Sequence, residues 1–76
     1  MPIRKLVQEA LTANAAAVVL AHNHPAGIAL PSKEDVEITL RLREALEVMD
    51  VVLLDHIVVA DDDFVSMRDS GYLRRY

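Results

Sequence analysis

Ala15-Ala-Ala-Val-Val-Leu-Ala-His-Asn-His24 is the stretch on which the reading of the fold turns. Its first seven residues are a continuous apolar run with valines at the centre, and Pro25 follows just beyond the histidines. β-Branched residues suit a pleated strand. A short apolar run closed by a chain breaker fits a strand buried on both faces. The alanines could instead extend a preceding helix, because so short a run carries no period of its own. If the strand continues through residue 24, side chains alternate along it. His22 and His24 then share one face and Asn23 takes the other.

Upstream, Ile3, Leu6, Val7, Ala10 and Leu11 recur at helical spacing. This predicts an amphipathic helix over residues 3–13, stopped at Asn14. Downstream, residues 25–31 form a loop bounded by two prolines. Ser32 and Asp35 then stand as a capping box that opens a helix over 33–49. Its apolar stripe is Ile38, Leu42, Ala45, Leu46 and Met49, with Glu37 and Arg41 as an i,i+4 pair on the other side. At 100° per residue, Asp35 falls at the N-terminal end of the apolar stripe instead of on the solvent face. Val51 to Val59 reads as a second buried strand. Asp61-Asp-Asp63 is a three-residue turn, and Phe64 to Met67 returns as a short strand, closing a hairpin. The expected order is helix, strand, helix, strand, strand. That is an α/β (α+β) domain in which two helices flank a small mixed sheet.

With 76 residues, 53% hydrophobic and 26% charged, the chain is one small domain or part of one, and too apolar for intrinsic disorder. A core of this size supplies only about 3–5 kcal/mol, so a metal, an oligomer contact or a further segment would help it. The absence of cysteine excludes disulfides, cysteine zinc fingers and thiol catalysis. No apolar run approaches the ~20 residues of a membrane span, and no secretory stretch follows Met1. A soluble, cytoplasmic domain without membrane contact is expected. The net charge of −4 argues against phosphate-backbone binding, with Arg74 and Arg75 a small exception. Phe64, Tyr72 and Tyr76 are too few aromatics for a base-stacking platform.

The residues that carry chemistry are His22, His24 and, after a seven-residue gap, Ser32 and Asp35. Two imidazoles on one strand face can chelate one ion. A catalytic zinc site takes three His or carboxylate ligands and leaves one position open. Asp35 is the natural third ligand, since a first-turn carboxylate is also favoured by the helix dipole. Mixed His and Asp ligands favour zinc over manganese or iron. Each piece also has a plain reading: a packed histidine pair without an ion, and a capping box with no further role. A carboxylate that only capped would have no need to face the core. The tripeptide His22-Asn23-His24 also raises a nuclease reading, but adjacent strand residues cannot reproduce a ββα-metal geometry, since Asn23 faces away.

His-x-His, seven residues, Ser-x-x-Asp resembles the metal motif of the JAMM (MPN-plus) metalloprotease domain. Leu20-Ala-His-Asn-His-Pro-Ala-Gly27, Pro31-Ser-Lys-Glu-Asp35, Leu53-Leu-Asp-His-Ile57 and Phe64-Val-Ser66 resemble its bacterial RadC-like branch more narrowly. The likeness covers nearly the whole chain. It implies a cytidine-deaminase-like JAMM fold, with His22, His24 and Asp35 as ligands of one zinc and a water completing the tetrahedron. It also implies a zinc-dependent metallohydrolase in which that water attacks the carbonyl of a peptide or isopeptide bond. Ser32 matches the serine that hydrogen-bonds near the developing oxyanion. His56 matches a branch histidine expected to support the site or the packing, paired locally with Asp55, more than to ligate.

The family's general-base glutamate lies on a strand before the first helix and has no counterpart here. Glu9, the only acid before His22, is expected to face solvent. Residues 1–76 are therefore expected to be a partial domain lacking its N-terminal strands, weak or inactive alone. The alternative is a non-catalytic metal-binding or protein-interaction module. An uncovered sheet edge, with Val36 and Leu40 part of the exposed apolar surface, leads to an expected homo-oligomer. The branch often carries a DNA-repair label, which these residues do not themselves support.

Overall fold

A computed structural model of the chain describes residues 2–24 and 27–74. Expectations placed on Pro25, Arg75 and Tyr76 lie outside them. The described residues form α1 (Ile3–Thr12), β1 (Ala17–Asn23), α2 (Lys33–Val48), β2 (Val52–Ala60) and β3 (Asp63–Ser66). β1 pairs in parallel with β2, and β2 antiparallel with β3, giving a mixed sheet in the order β1-β2-β3. This is the expected α+β arrangement.

Both helices end by the same device. Asn14 and Asp50 adopt positive φ values of 53° and 60°, which short polar side chains tolerate. In α1, the Ala15 and Asn14 amides donate to the Ala10 and Leu11 carbonyls. In α2, the Val51 and Asp50 amides donate to those of Leu46 and Glu47. These paired bonds are Schellman closures. Each turns the chain directly into the following strand.

The core lies between the helices and one sheet face. Leu42 and Leu46 of α2 are fully buried against Ala10, Val51 and Leu53, with Ile3, Leu6, Val7, Val18 and Leu20 packed around them. Each such leucine, truncated to alanine, typically costs about 2–5 kcal/mol. A smaller cluster joins Val58, Met67 and Leu73, with Leu40 and Tyr72 against it. Arg43 of α2 ties this C-terminal segment down by donating to the Leu73 carbonyl.

Among the described residues none covers the opposite sheet face, and this corrects several expectations. β1 and β2 are not buried on both faces: Val19, Val52 and Leu54 are 56%, 53% and 43% exposed. An apolar run looks doubly buried in sequence whether or not a second layer exists. β1 also begins at Ala17 and not at Ala15, because the closure of α1 uses residues 13–15. Leu11 and Met49 fall outside the core, while Thr39 is fully buried within the α2 stripe. Leu40 is not open surface, since it packs under the C-terminal segment. The ion pair that closes on α2 is Arg43–Glu47 at 3.8 Å, in place of Glu37–Arg41. The hairpin connection is two residues, Asp61 and Asp62, with Asp61 at φ 48°.

β2 contains an irregularity that the sequence did not announce. Val18 pairs with Leu53, but Val19 pairs with Asp55, so Leu54 is an extra residue in the ladder. A bulge of this kind reverses which residues face inward. Leu53 points to the core before it, and His56, Val58 and Ala60 point inward after it. Asp55 is thereby turned outward. Its carboxylate accepts from Ser66 Oγ, from the Arg68 amide (3.0 Å) and from the His56 amide (2.7 Å). Burial pushes its pKa up, but these bonds outweigh that and hold it below the ordinary 3.8.

Asp55 should therefore stabilise the fold fully above pH 3.8, and lose that contribution as pH falls through its lower folded value. Asp55→Ala is expected to cost about 1.5–3 kcal/mol at neutral pH, read by urea denaturation. The variant's stability should fall less between neutral and acid pH than that of the wild type.

Candidate metal centre

β1 and α2 each bring one half of the site. Odd residues of β1 lie on the bare face and even ones face the helices. This alternation sends His22 inward, and His24 follows it just past the strand end, its amide donating to the Val59 carbonyl at 2.8 Å. Asp35 is in the first turn of α2. Its carboxylate meets both rings: Oδ2 is 2.9 Å from His24 Nε2, and Oδ1 is 3.7 Å from His22 Nε2. One ligand atom from each of the three residues lies within 4.8 Å of the others. The three side chains are 18–29% exposed.

Capping and site-building prove to be one job. Ser32 Oγ accepts from the Asp35 amide at 3.0 Å, and the Ser32 amide donates to Asp35 Oδ2 at 2.8 Å. The complete capping box locks the carboxylate in the rotamer that faces the imidazoles. Burial pushes the pKa of Asp35 up, but the Ser32 bonds and the neighbouring imidazoles prevail, so it lies below the ordinary 3.8. The carboxylate is the charged form that a cation needs. Ser32 spends a lone pair on the Asp35 amide and keeps its hydroxyl proton to donate.

The donor set fits a metal. His24 Nδ1 is 3.1 Å from the Ile28 carbonyl. A carbonyl only accepts, so the ring proton sits on Nδ1. Nε2 then faces a carboxylate oxygen at 2.9 Å, and two acceptors at that distance need a proton or a cation between them. Imidazole nitrogens and a carboxylate oxygen are the ligand types zinc takes. His22 and Asp35 open into a cleft of about 440 Å³, walled by Leu6, Leu20 and Ile38 and edged by Glu34.

His56 stands behind the site against His22, but its ring is not paired with Asp55. Asp55 accepts from the backbone amide of His56, and the ring turns the other way, into the core. There Nε2 is 2.8 Å from His22 Nδ1, and Nδ1 is 2.7 Å from Thr39 Oγ1. Both ring nitrogens are engaged, so it is no ligand. Burial first, and the neighbouring His22 next, push its pKa down. Glu9 is exposed on α1, as expected. Among the described residues, the carboxylates lining the cleft are Asp35 and Glu34. Thr39 and Glu34 were not singled out from the sequence. Thr39 stands four residues after Asp35, one turn along the same helix face, and that was the available signal.

The sequence is also similar to those of known proteins. The model of the RadC-like JAB domain matches residues 1–72. A UPF0758 protein of Halorhodospira halophila is 57% identical over 70 residues, one of Cellvibrio japonicus 53%, and one of Bacillus licheniformis 46%. Each match covers 92% of this chain and 31% of the relative, so the chain spans about a third of their length. With only residues 73–76 outside the match, the chain belongs to the family of RadC-like JAB domains.

Proposed function

We propose that this chain provides the zinc-holding part of a metallohydrolase of the metallopeptidase or isopeptidase type, with His22, His24 and Asp35 as the ligands. One observation carries the reading: two imidazole nitrogens and a carboxylate converge within 4.8 Å, each oriented by bonds of its own. A bound zinc supplies Lewis acidity and lowers the pKa of a coordinated water, the chemistry that amide hydrolysis needs. The chain's own residues supply the setting. Ser32 offers a hydroxyl proton beside Asp35, suited to an oxygen that gains charge. Leu6, Leu20 and Ile38 give the cleft apolar walls against which a peptide can lie. Proton transfer is less well provided, since Asp35 is engaged and Glu34 is exposed at the rim. That observation favours a second reading, a metal-binding or interaction module without catalysis. A cytoplasmic setting belongs to the proposal. No described helix is long and apolar enough to cross a membrane.

Elemental analysis of the purified chain should find about one zinc per chain, and His24→Ala should lose it, because two remaining ligands are too few for a catalytic-type site. Absence of zinc from both proteins after supplementation would defeat the metal reading. Peptide or isopeptide hydrolysis by this chain alone should be weak, about 10²–10⁴-fold below that of a family member with a general base. A zinc-loaded longer relative that hydrolyses neither bond would leave the binding-module reading standing.

The bare apolar sheet face extends the proposal to self-association. Sedimentation velocity should show a concentration-dependent oligomer at micromolar protein, reduced in Val19→Lys. A monomer throughout that range would count against it.

A further inference from the structure

We propose that Thr39 and His56 form a one-directional hydrogen-bond relay that fixes the tautomer of His22, leaving its Nε2 as a bare lone pair aimed at Asp35. The direction follows from a single group that cannot donate. The Asp35 backbone carbonyl lies 2.6 Å from Thr39 Oγ1, so the threonine hydroxyl must give its proton there. Thr39 Oγ1 then has only lone pairs for His56 Nδ1, 2.7 Å away. The His56 proton therefore sits on Nδ1. In the neutral ring its Nε2 is an acceptor, and it takes the proton of His22 Nδ1 at 2.8 Å. In the neutral His22 ring that is the one proton, and Nε2 is left bare.

This outcome opposes the local preference. Asp35 Oδ1 is 3.7 Å from His22 Nε2, and a carboxylate alone would draw the ring proton to that nitrogen. The relay pulls it to the far side, where it cannot block a ligand position. Both relay members suit the task. Thr39 and His56 are fully buried, and an unmet polar group there is costly. The bulge at Leu54 completes the device, because without it His56 would face the bare side of the sheet.

The chain thus starts and ends on Asp35. Its backbone oxygen orients the relay, and its side chain faces the lone pair that the relay exposes. Thr39 and His56 are positioning residues for His22. The purpose assigned to the relay rests on reading His22 as a metal ligand, but its direction does not.

The test is ¹⁵N NMR of the imidazoles in metal-free, histidine-labelled protein at about pH 8, above the ordinary histidine pKa of about 6.5. His22 and His56 should both carry the proton on Nδ1. Thr39→Ser keeps the hydroxyl and should keep this pattern. Thr39→Val lacks it and should move the His22 proton to Nε2, with zinc affinity lowered about 10–100-fold and the Ser variant close to wild type. Circular dichroism identifies a variant that fails to fold, in which case the wild-type and Ser spectra decide. A wild-type His22 with its proton on Nε2 overturns the relay. So does a folded Thr39→Val that keeps the wild-type His22 tautomer and zinc affinity. Correct tautomers in a protein that binds no zinc would sustain the relay and remove the metal reading instead.

Discussion

The Asp35 carboxylate is the point at which the two halves of this small protein meet. It belongs to a helix, closing the capping box that starts α2, and it faces a strand, lying against the imidazoles of His22 in β1 and His24 just beyond it. The stable helix start and the placed negative charge are the same set of hydrogen bonds. A carboxylate held by a helix cap would lose little further freedom on meeting an ion, as in a preorganised site. Gly27, between the two halves, is closely fitted. Gly27 has φ 74°, and a side chain there would come within 2.9 Å of the Asp61 carboxylate on the β2–β3 turn. Glycine is the residue that satisfies both demands.

A second constraint is the parity of β2. A strand with no extra residue would place Asp55 inside and His56 outside if Leu53 faced the core. The bulge at Leu54 reverses that. It sends the carboxylate to a cage of hydroxyl and amide donors on one side, and the imidazole to Thr39 and His22 on the other. One inserted residue therefore serves both stability and the site. Bulges often re-aim side chains next to functional centres. The bare sheet face is the less settled part of the design. Small domains depend on every covered surface, and Val19, Val52, Leu54 and Phe64 remain open to solvent here.

Much of this was legible in the sequence. Helical spacing located α1 and α2 to within a residue or so, since tertiary packing follows a period that the residues themselves carry. The His22, His24 and Asp35 grouping was legible because strand alternation and a helix cap are local rules. What could not be read depended on neighbours. The apolar runs at β1 and β2 look the same whether one face or two are covered, so the exposure of Val19 and Leu54 was hidden. The bulge was hidden for a related reason: a nearly uniform run of apolar residues has no alternation for an insertion to interrupt. His56 was consequently paired with Asp55 by proximity, whereas the fold separates their side chains onto opposite faces. Thr39 looked like an ordinary helix residue until its burial against His56 gave it a role.

The claim at the centre is that His22, His24 and Asp35 hold one metal ion. X-ray absorption at the zinc edge of the loaded protein tests it most directly. The account predicts a low-coordinate shell of nitrogen and oxygen at about 2.0–2.2 Å, with the outer-shell scattering of two imidazoles that disappears in His22→Ala/His24→Ala. An all-oxygen shell without imidazole scattering, unchanged by those substitutions, would contradict it.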